Sequence, residues 1–390
     1  MDFDERIERR GSSDVKWDRM EALYGVPAQD GLAMWVADTD FRAPSCITER
    51  LRAMVDHGLF PYFDNSAEYA AAIRWWMAER HGWQVAPEWI FTTTGLVNAV
   101  GLCLDAFTAP GDEVVLFTPV YHAFAKVIRN AGRRVAERQM VVEDGLYRLD
   151  LDTWEAQMTG AERMLILCSP HNPGGRVWTG AELRAVADFA RRHDLILVSD
   201  EIHHDLVYPG HAHLPMPLAA PEVQDRLVML TAPSKTFNIA GLHTGQVIIA
   251  DPDLRARFGA RMQALNLSGN SMGQAATAAA YSPEGAEWVD ALMRYLDGNR
   301  KLFDAGIAEI PGLRSMPLQA TYLAWVDFSG TGMERAEFTA RVERDARIAA
   351  NHGTSFGSGG ENYLRFNLGT QRARIEEALE RLARAFGDLQ

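Results

Sequence analysis

Between about residue 90 and residue 250 the chain alternates two kinds of pattern. Short runs of consecutive apolar residues, EVVLF (113–117), RMLILCS (163–169), LILVSD (195–200), RLVMLTA (226–232) and TGQVIIA (244–250), read as strands. YHAFAKVIRNAG (121–132) and TGAELRAVADFARRHD (179–194) have helical spacing. The strand runs do not alternate apolar with polar, so both of their faces must be covered. That predicts an α/β fold with a mostly parallel sheet sandwiched by helices. The pattern changes after about residue 285. A long amphipathic stretch (286–310) is followed by strand-like YLAWVDF (322–328), a helix over 333–347, strand-like YLRFNL (363–368) and a last helix to about 386, a smaller α+β unit. The expected division is an N-terminal arm that also completes part of the small domain (1–50), a large domain (51–285) and a small C-terminal domain (286–390).

The net charge of −13 argues against a nucleic acid or an anionic membrane as partner, since either would need a basic face. No apolar run approaches the ~20 residues that cross a bilayer. The opening MDFDERIERRGSSD lacks the apolar core of a signal peptide. Cys46, Cys103 and Cys168 are far apart and odd in number, which gives no metal spacing and no disulfide framework. A cytoplasmic location is expected on that ground. The chain has only four lysines, Lys16, Lys126, Lys235 and Lys301, so a lysine in an uncharged stretch stands out.

Ligands of open α/β sheets sit beyond the carboxyl ends of the strands, so the segments after the apolar runs carry the candidate chemistry. In TAPSKTFNIAGL (231–242), Lys235 sits among small neutral residues. Desolvation there favours the neutral amine, which can form a Schiff base with an aldehyde; the plain alternative is a surface lysine on a loop. In LILVSDEIHHDLVY (195–208), Asp200 ends an apolar strand, where a carboxylate needs a partner: a pyridinium nitrogen, or as a helix N-cap the backbone. Glu201, His203, His204, Asp205, His211 and His213 suggest a metal site, but the adjacent histidines match no helical ligand pair such as HExxH, so no metal is expected. Asn172 in CSPHNPGGRVW (168–178) could donate to a phenolate oxygen or simply shape a tight turn. FTTTGLVNAVGLCLDAF (91–107) reads as strand, glycine turn and helix, where Gly95 and Leu96 would offer N–H groups to a phosphate. Tyr121 could stack on a flat ring or merely pack. Arg365, inside YLRFNLG (363–369), needs an anion: a ligand carboxylate or a structural partner.

Taken together, RRGSSDVKWD (9–18), LAMWVADTDF (32–41), SPHNPGGRVW (169–178), SDEIHHDLVYPGH (199–211) and APSKTFNIAGL (232–242) resemble fold-type I enzymes that use pyridoxal 5'-phosphate (PLP), the class I/II aminotransferase superfamily. Within it they are most like the MalY/PatB-type cystathionine β-lyases, and the likeness covers nearly the whole chain. The resemblance implies that the large domain binds PLP, with Lys235 as the Schiff-base lysine and Asp200 on the pyridine nitrogen. It puts Asn172 and His203 near the phenolic oxygen, Tyr121 on the ring, and Gly95, Leu96 and Ser234 on the phosphate. Arg365 would bind the substrate α-carboxylate, and Tyr62 would reach into a partner's site in a homodimer. The implied activity is carbon–sulfur β-elimination on an amino acid. An aminotransferase is the alternative, and a PLP-binding regulatory protein a second one. Where the family usually has Gly and Met, this chain has Pro61 and Thr39; a Pro-Arg pair is replaced by Thr370 and Gln371. His243 stands where many fold-type I enzymes place a phosphate-binding Arg, and Ala232 where they place Ser or Thr. Ser169 replaces a common Asn.

Overall fold

The computed structural model describes residues 1–63 and 66–389. Seven strands form the main sheet: β1 (Ile90–Thr93), β2 (Glu113–Thr118), β3 (Arg134–Gln139), β4 (Glu162–Cys168), β5 (Ile196–Asp200), β6 (Leu227–Thr231) and β7 (Gly245–Ile248). Their order is β1-β7-β6-β5-β4-β2-β3, and only β7 runs against its neighbours. The consecutive apolar residues serve two cores. Val115, Leu165, Leu197 and Met229 enter one, while Val114, Met164, Val198 and Val228 enter the other. Side chains of a strand point alternately to opposite faces, so an unbroken apolar run is what a doubly covered strand needs.

Four further strands, β8 (Arg314–Ser315), β9 (Leu323–Asp327), β10 (Asn351–His352) and β11 (Tyr363–Asn367), make an antiparallel sheet in the order β8-β9-β11-β10. Its register sets Arg365 between Trp325 and Asn351. Leu32–Ala33 pairs in parallel with Ile348–Ala349, which lays the first part of the chain against this C-terminal region. The helix expected over 333–347 is interrupted. Arg335–Ala340 is α-helical, then Arg341–Asp345 widens to a π turn that closes with Ala346 N–H donating to Arg341 O, and Arg347 at φ +56° ends it. A hairpin, Val141–Glu143 with Leu146–Arg148, has no counterpart among the predicted elements, although Asp144 and Gly145, both at positive φ, are the residue pair such a turn favours.

The N-terminal segment is fastened by buried charge. Lys16 lies 3.2 Å from Asp40, Arg9 2.7 Å from it and Arg374 3.1 Å from it. Burial pushes the Asp40 carboxyl up, and these three cations more than reverse it. Gln371 donates to Glu5 O and Asp40 O and so ties the start of the last helix to the N-terminal segment.

Candidate active site

The parallel strands all end at one edge of the sheet, and the turns after β1, β2, β4, β5 and β6 meet there around a cavity of about 390 Å³. Gly95, Leu96, Tyr121, Asn172, Asp200, His203, Ser234 and Lys235 all line it.

One end of the cavity is the start of helix α1 (Leu96–Phe107). Gly95 precedes it at φ +111° and no side chain caps it, so the first N–H groups are free for a ligand anion. Close packing here depends on Gly245: a Cβ added there would lie 2.6 Å from the Leu96 side chain and 3.3 Å from Gly95 Cα. Ser234, His243 and Thr244 complete this end. Thr244 Oγ1 and Asn98 Oδ1 are buried there without a hydrogen-bond partner. His243 adopts a left-handed conformation with φ +44°.

At the end of β5 the Asp200 carboxylate is buried and accepts one N–H, from Ile202 at 3.1 Å. It has no ion pair among the described residues, and burial pushes its carboxyl up to about 7. His203 is buried too; burial first, then Lys235, Arg365 and His204, holds its imidazole neutral, and its Nδ1 has no partner. Lys235 is partly buried and its Nζ donates to Ala37 O at 2.7 Å. Burial lowers its ammonium below the ordinary value, opposed by Asp38 and Asp200. Tyr121 comes from the turn after β2.

Arg365 reaches the same place from the small sheet. Its Nη1 donates to Asn172 Oδ1 at 2.9 Å and its Nη2 to Trp35 O at 2.7 Å. No carboxylate pairs with it among the described residues, and burial lowers its guanidinium to about 10. Since the Asn172 oxygen is taken by Arg365, its amide NH₂ is the group left to face a ligand. Tyr62 does not join the cluster: it stands fully exposed in the segment before the second long helix of the chain.

Sequence reasoning missed what the segment 35–39 does. Every carbonyl along it is held by side chains. Trp35 O accepts from Arg365 and Asn351, and Val36 O from Asn367. Ala37 O accepts from Lys235 and Tyr322, Asp38 O from Asn367 and Lys16, and Thr39 O from Asn238 and Arg9. Backbone acceptors leave no mark in a sequence, but Asn367 does: it is two residues from Arg365 and so on the same face of β11. Thr39 is buried with its hydroxyl unpartnered. Asn98 and Thr244 were also missed.

The histidine-rich stretch divides. His203 faces the cavity, His211 is exposed, and His213 lies 2.7 Å from Glu201. His204, together with His81, surrounds Asp205; donor atoms of these three lie within 4.8 Å of one another. Both Asp205 oxygens already accept hydrogen bonds from protein groups.

This donor set fits PLP. A helix start suits its phosphate, a buried carboxylate without a cation suits its pyridine nitrogen, and a lysine of lowered basicity suits its aldehyde. The model of the class I and II aminotransferases matches residues 38–382. The chain is 40% identical over 388 residues to cystathionine β-lyase PatB of Bacillus subtilis, covering 99% of this chain and 100% of that protein. Its structure superposes on cystalysin from Treponema denticola, a crystal structure containing PLP, with a TM-score of 0.95, 34% identity and coverage of 100% and 99%. A PLP-bound putative aminotransferase from Clostridium difficile gives 0.94, 34%, 98% and 99%. The chain therefore belongs to the class I and II aminotransferase family.

Proposed function

We propose that the protein is a PLP-dependent carbon–sulfur β-lyase that converts an L-cysteine S-conjugate and water into a thiol, pyruvate and ammonia. The observation that carries this is that Lys235 and the buried Asp200 line one cavity, while the buried Arg365, with no carboxylate partner among the described residues, is bonded to Asn172 in its wall. The likeness to PatB and cystalysin directs the reading to β-elimination.

Bound PLP supplies an electron sink for the negative charge that develops at the substrate Cα. Arg365 anchors the substrate α-carboxylate through its guanidinium, held in place by Asn172 and Trp35 O. Lys235 accepts the Cα proton; as general base it contributes roughly 100- to 10,000-fold. The electron pair left at Cα then expels the thiolate from Cβ. Asp200 would hold a proton on the pyridine nitrogen, giving the buried carboxylate a cationic partner. Asn172 and His203 would serve the phenolic oxygen, Tyr121 the ring face, and Gly95, Leu96 and Ser234 the phosphate; all of them line the cavity.

The same reading divides the chain into an arm (1–50), a cofactor domain (51–285) and a small domain (286–390). It also makes the protein a homodimer. The exposed Leu59, Phe60, Tyr62 and Phe63 form an apolar run suited to a second copy, with Tyr62 reaching that copy's cavity. Sedimentation at micromolar concentration tests this. No helix among the described residues is long and apolar enough to cross a membrane, and Cys46, Cys103 and Cys168 are free thiols, which supports a cytoplasmic setting.

The decisive test mixes PLP-loaded protein with L-cystathionine, without any keto acid, and follows pyruvate and free thiol together. Repeated stoichiometric release of both is expected. Amine transfer only after a keto acid is added would instead make the protein an aminotransferase, which ends the same first steps by reprotonating the cofactor's carbon.

A further inference from the structure

We propose that Asp205 is a positioning residue for Lys235, acting through Thr236; this rests on the reading of Lys235 as the base. Asp205 is buried behind the cavity, five residues after Asp200. Its Oδ1 accepts from Trp76 Nε1 at 3.0 Å and His81 Nε2 at 2.9 Å, both on the helix Ser66–His81. Its Oδ2 accepts from Thr236 Oγ1 at 2.9 Å, with His204 Nε2 3.3 Å away. One carboxylate thus joins the helix, the turn that carries Asp200 and His203, and the loop that carries Lys235.

Aromatic packing stiffens the same junction. Trp76 stacks on Tyr281 at 4.8 Å and meets Phe237, the residue after Thr236, edge-on at 5.7 Å. Burial pushes the Asp205 carboxyl up, and His204 and His81 reverse this and hold it well below the ordinary range. Trp76, His81 and Thr236 donate to the ionised carboxylate, and a neutral amide in its place removes the negative charge and one of the two acceptor oxygens. Thr236 is fully buried and its hydroxyl is spent on this bond. The backbone next to Lys235 is thereby fixed, which sets where its Nζ is presented in the cavity.

The test compares PLP-loaded Thr236→Val, Thr236→Ser and Asp205→Asn with the parent. The readout is exchange of the Cα–H of L-alanine in deuterated water, followed by NMR. Exchange needs only proton removal and no thiol leaving group. Misplacement by about 1 Å can cost as much as ~100-fold in rate. Thr236→Val, nearly the same size, is expected to slow exchange at saturating alanine about tenfold, with KM and the bound-cofactor absorbance unchanged. Thr236→Ser restores the rate to within threefold, and Asp205→Asn is at least as slow as the valine variant. A valine variant within threefold of the parent, or a serine variant as slow as valine, overturns the proposal. A parent that exchanges alanine but spares cystathionine overturns β-elimination alone and leaves the Thr236 comparison valid. A parent that does neither overturns Lys235 as base, and this proposal with it.

Discussion

Asp200, at the end of β5, and Asp205, in the turn that follows, lie five residues apart; both are buried, and their carboxyls are pushed in opposite directions. Asp200 accepts a single N–H, and burial raises it to about 7. Asp205 collects donors from tryptophan, histidine and threonine, and burial is more than offset, so it stays ionised. The difference separates two uses of a buried charge. A carboxylate whose partners are all in the protein builds structure. One left short of partners is set aside for something the chain does not contain. Arg365 belongs with Asp200: it is buried, has no carboxylate partner among the described residues and is lowered to about 10.

The sharpest way to break this distinction is at the cavity. Lys235→Ala is expected to abolish both the bound-cofactor absorbance and turnover, and full activity in that variant would end the account. Asp200→Asn comes next. Without the carboxylate the pyridine nitrogen loses its proton and the electron sink weakens, so kcat falls by about 1,000-fold, the scale of a lost preorganised electrostatic contact. A stopped assay of pyruvate reads this directly. Arg365→Ala removes a paired carboxylate anchor and is expected to raise KM for amino acids by about 100-fold, a loss of roughly 3 kcal/mol for a charge-assisted contact. An unchanged KM would move Arg365 to the structural class occupied by Asp205.

Asp205→Asn probes the other side. Removing one member of a buried charge cluster costs about 3 kcal/mol of folding stability. Because the folded carboxyl lies below its unfolded value, its contribution is present above about pH 4 and fades only as pH falls toward the folded value. Urea unfolding of the parent and the variant at pH 7.5 should show the full gap; equal midpoints would show that the cluster is not structural.

Much of this was legible in the sequence. The β5 run and its terminal Asp200 announce themselves because a doubly covered strand must be apolar until it reaches the ligand edge. Lys235 stands out because the chain has so few lysines. The contrast between Asp200 and Asp205 was not legible. Within SDEIHHD every polar residue looks alike, and which acid meets His81 depends on where a helix more than a hundred residues earlier happens to end. The latched carbonyls of 35–39 were hidden for a related reason, since their donors come from the arm, the Lys235 loop and β11. Tyr62 stands apart from the cavity, fully exposed, and a role for it toward a second copy of the chain is a proposal.

The smallest effect sharpens the comparison most. In the cofactor-free protein Asp200 carries a folded value of about 7 against an ordinary 3.8. Its sign is the reverse of the usual paired carboxylate. Below about pH 4 the group is neutral whether folded or unfolded and contributes nothing. As pH rises from there to about 7 the unfolded chain ionises freely while the folded one resists, so the apoprotein loses stability over that window, and above 7 the loss is constant. Asp200→Asn cannot ionise and should lack this loss. The apo variant is therefore expected to melt a few degrees, about 2–4 °C, above the apo parent at pH 8, with the gap closing toward pH 4.5. Loading PLP should reverse the order, because the parent's carboxylate then gains the pyridinium it lacked. An apo variant that melts below its parent at pH 8 would mean that the Asp200 carboxylate already has a partner within the chain, and the distinction from Asp205 would fall.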